Sequence, residues 1–355
     1  MMDRKALRFG ILFGSLFVAI TLTSTLFPQA GAQEGEGTRI AAVGDLVCAF
    51  GARTERHVAG AAKVHGKCEP GRVARLVTEG GYDAFLPLGD LQYSYGGYWR
   101  YVTYWDKFYG SVKDITRPAA GNHEAYNDFS GYVRYLGSKR THFPDNYETY
   151  RPGDEPRRVT GYYSYNMGGW HLISINSQLC INKMWNLKTR WTTPIPGGGC
   201  EPGDPQYEWL KRDLSRHSND EYPCTIAYFH HPMFKVTKYK LPGNNVQGPL
   251  YELLHGANAD VLLTGHQHNY QRWGPIDPEG NADPNGMMQF IVGTGGDSYQ
   301  PLPDESEWPE EVATANTQTY GILEMTLREG AYDFEFIAAP GQPVDFEDSG
   351  SADCH

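Results

Sequence analysis

Four short apolar segments of this chain each end at a loop that carries oxygen or imidazole donors. This repeated pattern restricts the fold more than any other feature. The segments are predicted strands over 39–43, 84–88, 224–229 and 260–264, and the donors that follow them are Asp45, Asp90 with Tyr93, His230 with His231, and His266 with His268. Asn122 and His123 lie on a fifth loop. In α/β sheets, ligands gather at the carboxyl ends of the strands, so we expect these loops to converge on one site.

Helical and strand patterns alternate along the chain as far as His266, and strand patterns dominate after it. Apolar spacing predicts helices over 71–79, 98–109, 205–217 and 249–255, and further strands over 170–176, 288–292, 320–327 and 332–337. This order of elements favours one α/β domain with a layered sheet core over two separate domains.

The amino-terminal segment has the pattern of an export signal. Arg4, Lys5 and Arg8 precede an apolar run over 11–27, and Ala30-Gly31-Ala32 has the small-x-small form of a cleavage site. We therefore expect a secreted or extracytoplasmic protein with no stable membrane insertion after cleavage. The apolar run is close to the lower length limit of a membrane span, so an uncleaved anchor is the alternative.

The resulting domain plan has four parts. Residues 1–32 are the predicted signal peptide, 33–38 a linker, 39–340 the folded domain and 341–355 a polar, acidic tail. The tail is expected to be mobile unless Cys354 tethers it.

The charge of the chain excludes one class of partner. Its formal net charge is −11, and it becomes −13 once the first 32 residues, which carry +2, are removed. A chain this acidic lacks the broad basic surface from which nucleic-acid binders gain affinity. We expect instead a small anionic substrate, recruited locally by bound metal.

The six cysteines form no CxxC pair, which argues against a zinc ribbon or a redox motif. In an exported protein an even number of cysteines suggests disulfides. Cys48 with Cys68 and Cys180 with Cys200 each bracket a Gly-containing loop, and Cys224 with Cys354 is the pair that remains. Other pairings stay formally open.

The chemistry of the donors predicts the kind of metal site. Carboxylate, imidazole, amide and phenolate groups suit iron, zinc or manganese, and the lack of thiolates argues against a site for a soft metal. The set is too large for one tetrahedral ion. It suits two metals ~3.5–4 Å apart that share one carboxylate, which is an arrangement used for displacement at phosphorus.

The ordered motifs resemble those of the calcineurin-like metallophosphoesterases. GDxxY (89–93), GNHE (121–124) and GHxHxYxR (265–272), taken with Asp45 and His230, resemble in particular the purple acid phosphatase branch in its short bacterial secreted form. The resemblance implies a layered α/β/β/α sandwich in a single domain. It also implies hydrolysis of phosphate monoesters by in-line attack of a metal-bound hydroxide.

The resemblance also assigns roles residue by residue. It places Asp45, Asp90, Tyr93 and His268 on one metal. It places Asp90, Asn122, His230 and His266 on the other, so that Asp90 bridges the two. His230 is preferred to His231 because the family's ligand directly follows the strand. His123 is the expected acid for the leaving group, and with Asp90 it forms the predicted catalytic pair.

Some positions near the motifs are left open. Glu124, His231, Tyr270 and Arg272 are predicted either to contact the substrate or to support the ligands, and Arg272 could instead form a structural ion pair. Val47 departs from the family pattern, which usually has glycine at this position.

A count of charges favours Fe(III) at the first metal position, with Zn, Mn or Fe(II) at the second. Asp45, Asp90, a tyrosinate at Tyr93 and a bridging hydroxide carry four negative charges. Two divalent ions neutralise them, whereas a trivalent and a divalent ion leave one positive charge to hold a phosphate. Two Zn or two Mn ions are the alternative.

Two other functions compete with a phosphomonoesterase. One is a phosphodiesterase or nucleotidase that uses the same metals. The other, of a different class, is an exported binding protein without catalysis, which a complete ligand set disfavours. The sequence contains neither GxSxG nor HExxH, so a serine hydrolase or a zincin has little support. The oligomeric state is not determined by the sequence.

Overall fold

Two β-sheets form the centre of the molecule. In the computed structural model, residues 37–48, 68–143, 159–181, 184–186, 191–193, 195, 198–217, 222–238, 246–342 and 345–355 are described. The predicted signal peptide, most of the predicted linker and the interior of the loop between Cys48 and Cys68 lie outside these residues. Within the described ranges, no helix combines the length and the apolar character that a membrane crossing requires.

The strands are β1 (Thr38–Val43), β2 (Ala84–Pro87), β3 (Tyr163–Met167), β4 (Trp170–Ser174), β5 (Met184–Asn186), β6 (Trp191–Thr193), β7 (Cys224–Phe229), β8 (Val261–Thr264), β9 (Tyr270–Ile276), β10 (Met287–Val292), β11 (Val312–Asn316), β12 (Gly321–Arg328), β13 (Ala331–Ala338) and β14 (Ser349–Asp353). The first sheet has the strand order β14-β13-β12-β1-β2, the second has the order β11-β9-β10-β8-β7-β4-β3, and β5 and β6 form a small ribbon.

Nine α-helical segments lie among the described residues. They are α1 (Pro70–Glu79), α2 (Tyr98–Arg100), α3 (Asp106–Tyr109), α4 (Asn122–Ala125), α5 (Ser130–Leu136), α6 (Ser138–Thr141), α7 (Gln178–Ile181), α8 (Pro205–Arg216) and α9 (Gly248–Gly256). A π-helical turn, Tyr101–Trp105, joins α2 to α3, and 3₁₀ segments span Gly110–Ile115 and Glu305–Glu307. α1, α8 and α9 each have proline in their first two positions, where its missing N–H costs nothing.

Alternate residues of the second sheet face different layers. Ile226 of β7 and Leu263 of β8 pack in the same apolar cluster as Ile40 of β1, so they face the first sheet. Their neighbours Ala227 and Leu262 belong to a second cluster, which contains residues of α8 and α9. Successive side chains of a strand point to opposite faces, so the second sheet lies between the first sheet and these helices. Because α1 packs against β12 on the first sheet, the predicted α/β/β/α sandwich is confirmed.

Parallel pairing brings the ends of particular strands together. β1 is parallel to β2 in the first sheet, and β7 is parallel to β8 in the second. Neighbouring parallel strands end at the same edge of a sheet, so the loops that follow them are adjacent. The N–H of Gly44 donates to the carbonyl of Val292 over 2.8 Å, which joins the end of β1 to the end of β10 across the two sheets.

The segment predicted as an acidic tail meets the condition under which it was expected to be held in place, because Cys354 tethers it. Ser349–Asp353 forms β14, which pairs antiparallel with β13 and closes the edge of the first sheet. Cys354 is bonded to Cys224 at the start of β7, which fixes the chain end to the second sheet. The side chains of β14 are largely exposed at a sheet edge, and its sequence is polar. It therefore lacks the apolar pattern by which a strand is predicted.

The other two predicted disulfides are also present, Cys48 with Cys68 and Cys180 with Cys200. Each joins cysteines that are 20 positions apart, whereas the Cys224–Cys354 bridge spans 130 positions. A crosslink that closes a longer loop removes more conformational entropy from the unfolded chain.

We predict that replacing both Cys224 and Cys354 by serine lowers the free energy of unfolding by about 4–5 kcal/mol. The matched double replacement of Cys180 and Cys200 should cost about 3 kcal/mol, because it opens a shorter loop. Urea unfolding of the two variants measures both values. Equal losses would contradict the dependence on loop length.

Candidate metal centre

The loops after β1 and β2 run side by side beyond the ends of their strands. The N–H of Asp45 donates to the carbonyl of Gly89 over 3.1 Å, and the N–H of Val47 donates to the carbonyl of Leu91 over 3.1 Å. In the opposite direction, the N–H of Tyr93 donates to the carbonyl of Val47 over 2.8 Å, so the two loops exchange hydrogen bonds. Valine at position 47 is therefore compatible with the loop, because its backbone continues the parallel ladder.

Three of the predicted ligands have left-handed backbone conformations. The φ angles of Asp45, Asp90 and His266 are 61°, 50° and 68°. Such conformations cost on the order of 1–3 kcal/mol each in non-glycine residues, and they persist where the surrounding structure imposes them. Their concentration in one place indicates a functional site.

Two glycines allow side chains of the site to approach the backbone closely. A Cβ atom at Gly89, where φ is +84°, would lie 2.5 Å from Nδ1 of His230. A Cβ atom at Gly121 would lie 2.2 Å from Oδ1 of Asp90. Glycine at these positions is therefore part of the geometry that holds His230 and Asp90.

Tyr93, Asp45 and His268 form the first half of the site. Tyr93 Oη lies 2.6 Å from Asp45 Oδ1 and 3.0 Å from His268 Nε2. His268 Nε2 lies 3.2 Å from Asp45 Oδ1. Asp45 is fully buried, and Tyr93 and His268 are nearly so. Three donor atoms from three loops thus face one another.

Asp90, His230, Asn122 and His266 form the second half. His230 Nε2 lies 3.1 Å from Asp90 Oδ2, 3.1 Å from Asn122 Oδ1 and 3.2 Å from His266 Nδ1. Asp90 Oδ2 also lies 3.2 Å from Tyr93 Oη, so this carboxylate stands between the two halves. The structure therefore brings all seven predicted ligands together.

Backbone carbonyls fix the orientation of two of the imidazoles. Nδ1 of His230 donates to the carbonyl of Leu88 over 2.8 Å, and Nδ1 of His268 donates to the carbonyl of Ser298 over 2.7 Å. A carbonyl can only accept, so in both rings Nε2 is the nitrogen that faces the site. Metal-binding histidines usually have their other ring nitrogen held in this way.

The charges of the site are balanced by carboxylate–imidazolium pairs. Burial lowers the pKa of His230 and of His268, but Asp90 and Asp45, respectively, raise the pKa of each to about 9. Burial raises the pKa of Asp90, yet the charges of His230 and His123 and the hydrogen bonds from them hold it below its usual range. Cations that replaced the imidazolium protons would keep the carboxylates neutralised.

The remaining groups of the site are neutral. Burial, together with the charges of Asp45 and Asp90, raises the pKa of Tyr93 well above its ordinary value. Burial and the charges of neighbouring histidines lower the pKa of His231 and of His266 well below the ordinary value. His266 is therefore a free-base imidazole at neutral pH, the form that binds a metal.

Glu124 lies beneath the site and holds two of its loops. Its carboxylate accepts the N–H groups of Asp90, Leu91 and Gly121 over 2.9, 3.0 and 2.9 Å, and the hydroxyl of Tyr101 over 2.8 Å. Burial and the charge of Asp90 raise the pKa of Glu124 to about 7. The side chain is fully buried, so its place in the structure is one of support for the ligands.

His123 lies at the open side of the second half. Its N–H donates to Asp90 Oδ1 over 2.8 Å, and its Nδ1 donates to the carbonyl of Ser94 over 2.6 Å. Nε2 lies 3.7 Å from Asp90 Oδ2, and the side chain of His123 is partly exposed. His123 thus presents one ring nitrogen to the site with its orientation fixed from behind.

Three of the positions that were left open have partners of their own. Arg272 forms a bidentate ion pair with Asp348, in which both hydrogen bonds are 2.8 Å long. The hydroxyl of Tyr270 donates to the same carboxylate over 2.7 Å. These two side chains therefore bind the segment before β14, which favours the structural alternative for both. Nδ1 of His231 lies 2.9 Å from Oγ of Ser177.

Two residues next to the site were not predicted. Asp297 Oδ2 lies 3.6 Å from Nδ1 of His268, and it follows β10 in a Gly-Gly-Asp sequence that resembles the other strand-to-loop junctions. Burial lowers the pKa of Lys235, and the positive charge of Lys235 adds to burial and to the neighbouring histidines in lowering the pKa of His231 and of His266. The strand-to-loop signal was sufficient to find Asp297, whereas Lys235 has no sequence signal.

A separate group, His171 with Asp213 and His217, joins the start of β4 to the end of α8. His171 Nε2 lies 2.9 Å from Asp213 Oδ2, and the two imidazole rings stack with centroids 3.9 Å apart and planes at 16°. A metal ion binds near the plane of an imidazole ring, and one ion cannot lie in two planes that are nearly parallel and this far apart. The group is therefore a structural contact between strand and helix.

Comparison with known proteins places the chain in a class. The family model for calcineurin-like phosphoesterases matches residues 38–270. Purple acid phosphatase 21 of Arabidopsis thaliana is 28% identical over 226 residues, which cover 61% of this chain and 44% of that protein. The chain spans about half the length of the curated relatives it matches.

Solved structures show the same fold. The purple acid phosphatase PPD1 from yellow lupin (Lupinus luteus) seeds superposes with a TM-score of 0.59 at 16% identity, covering 89% of this chain and 53% of that chain. GAP50, the anchor in the inner membrane complex of Plasmodium, superposes with a TM-score of 0.57 at 12% identity, covering 90% of each chain.

The chain therefore belongs to the calcineurin-like phosphoesterase family. Within the family its relatives place it in the purple acid phosphatase-like branch, as the motifs predicted.

We predict that His230→Ala removes one bound metal ion per chain, whereas His231→Ala keeps both. The reason is that His230 Nε2 lies within 3.2 Å of donor atoms of Asp90, Asn122 and His266, whereas the ring of His231 is hydrogen-bonded to Ser177, which is not one of the predicted ligands. His231→Ala should weaken metal binding by no more than about 100-fold, because losing a residue that only supports a ligand usually costs about 10–100-fold. Metal analysis after loading and dialysis measures both variants. The reverse order of effects would assign the ligand to His231.

Proposed function

We propose that the protein is an exported phosphoesterase with two metal ions, which hydrolyses phosphate monoesters. The observation that carries the proposal is the convergence of Asp45, Asp90, Tyr93, Asn122, His230, His266 and His268 on one buried site. The donor atoms lie within hydrogen-bonding distance of their neighbours, and the ring nitrogens of His230 and His268 are held from behind by carbonyls. This donor set fits hard or borderline cations.

Asp90 is the proposed bridge between the two metal positions. Its Oδ2 faces Tyr93 in the first half and His230 in the second, so one carboxylate serves both. Bound metal would activate a water molecule for in-line attack at phosphorus and would offset the charge of the phosphate.

His123 is the proposed acid for the leaving group. Because Nδ1 donates to the carbonyl of Ser94, the other ring nitrogen, Nε2, is directed toward the site. A proton on Nε2 can be transferred to the leaving oxygen as its bond to phosphorus breaks. The backbone N–H of His123 meanwhile holds Asp90, so this residue both orients the bridge and faces the leaving group.

The identity of the metals is proposed from charge. Fe(III) with Zn, Mn or Fe(II) leaves one positive charge after the acidic ligands are neutralised, whereas two Zn or two Mn ions leave none. Since burial and the charges of Asp45 and Asp90 raise the pKa of the Tyr93 phenol, a strongly acidic cation would be needed to bind it as the phenolate.

Export is proposed from the leader-like sequence and from the disulfides. All six cysteines are paired in three bridges, which supports folding in an oxidising compartment.

We predict that the iron-loaded protein shows a visible absorption band from phenolate bound to Fe(III), and that Tyr93→Phe abolishes this band. Asp90→Asn should lower metal content and remove nearly all activity, because the bridge is lost from both halves. Absorption spectra, metal analysis and phosphate release measure these results.

Tyr98→Phe is the matched control, since it removes a phenol hydroxyl that lies outside the donor set. An unchanged band in Tyr93→Phe would reject the ligand. Full metal content with normal turnover in Asp90→Asn would reject the bridge. A colourless protein that is active with two zinc ions would reject only Fe(III).

We predict that His123→Ala slows hydrolysis of an alkyl phosphate far more than that of nitrophenyl phosphate. A poor leaving group needs the proton, while nitrophenolate leaves without it. General acid assistance is typically worth about 10²–10⁴-fold, so the two rates should separate clearly.

Metal content is measured alongside both rates. If both substrates slow equally and metal is lost, His123 supports the ligands and is not the acid.

A further inference from the structure

A series of aromatic rings leads from the site to the surface. The ring centroids of Tyr93 and His123 are 4.2 Å apart, those of His123 and Tyr126 are 4.9 Å apart, and those of Tyr126 and Tyr95 are 6.3 Å apart. Tyr95 is 42% exposed, and Tyr126 is partly buried. We refer to Tyr126 and Tyr95 as the aromatic wall.

The aromatic wall is attached to the same segments that hold the site. Tyr126 directly follows α4 and lies three residues after His123, so the two side chains share one side of the turn. Tyr95 lies two residues after Tyr93, next to Ser94, whose carbonyl holds the His123 ring. The position of the wall is therefore fixed relative to His123 and does not depend on a distant loop.

The location of the aromatic wall determines which part of a bound substrate the wall can contact. The proposed proton donor, Nε2 of His123, marks the side on which the leaving group departs. Tyr126 contacts the His123 ring directly, and Tyr95 continues the wall outward. The wall offers uncharged ring surface and the hydroxyl of Tyr95, while the hydroxyl of Tyr126 hydrogen-bonds Asn122, so the wall adds contacts to an uncharged leaving group and not to the phosphate.

We propose that the aromatic wall binds a planar ring in the leaving group, so that this enzyme prefers aryl phosphates among phosphate monoesters. The inference rests on the proposed function and adds a substrate class to it. Aromatic pairs favour offset or edge-to-face contact, and tyrosine side chains lose little conformational entropy when a ligand binds them.

The test compares two phosphonates that the protein cannot hydrolyse at a P–O ester bond. Benzylphosphonate has the length of a phenyl phosphate, and ethylphosphonate has the same phosphonate group without the ring. Calorimetric titration of the metal-loaded protein gives the Kd of each. We expect wild type to prefer benzylphosphonate, and Tyr95→Ala to reduce this preference about 2–10-fold, the usual range for an aromatic contact.

Two variants serve as controls. Tyr95→Phe keeps the ring and should keep the preference. Trp99→Ala removes a more exposed aromatic side chain, 72% exposed, whose ring contacts Tyr98, and it should also keep the preference.

The outcomes separate this inference from the proposed function. If inorganic phosphate binds wild type but the preference is absent, or is the same in wild type and Tyr95→Ala, the aromatic wall has no role in recognition. If neither inorganic phosphate nor either phosphonate binds the metal-loaded protein, the proposed function fails and the inference fails with it.

Discussion

The arrangement of the site depends on the buried carboxylate of Glu124. It gathers the N–H groups of Asp90, Leu91 and Gly121, which belong to two different loops, and ties them to Tyr101 in the aromatic core. A buried carboxylate is costly unless its oxygens are bonded, and here four donors satisfy it. This contact sets where Asp90 stands, and the position of Asp90 in turn decides whether the two halves can share one ligand.

The site also combines strained backbone conformations with paired opposite charges. Asp45, Asp90 and His266 have left-handed backbone conformations, which persist in non-glycine residues where the surrounding structure imposes them. The carboxylates of Asp90 and Asp45 are paired with His230 and His268, respectively, which offsets the repulsion between like charges that lie close together. A cation bound here would take the place of the imidazolium protons in neutralising the carboxylates.

The sequence predicted the elements that depend on local patterns and missed those that depend on contacts between residues far apart in the chain. β1, β2, β7 and β8 are short apolar runs that stop at glycine or histidine, a local signal that marks both the strands and the donors. β14 pairs with residues of β13 that are 14 to 22 positions away, and the Arg272–Asp348 pair joins residues 76 positions apart, so no local pattern encodes either contact. The short helix α4 was missed because it is only one turn, although its first residues were identified as a motif.

The fold alone does not decide what such a protein does. A purple acid phosphatase and an anchor protein of Plasmodium superpose on this chain with similar scores, so the argument for function must come from the site. Here the site has two separable parts. The predicted metal ligands lie largely in loops that follow buried strands, where a change would disturb the core, whereas the side chain of Tyr95 is 42% exposed, so its substitution disturbs the core less. Divergence in substrate choice is therefore expected in the aromatic wall while the metal centre stays fixed.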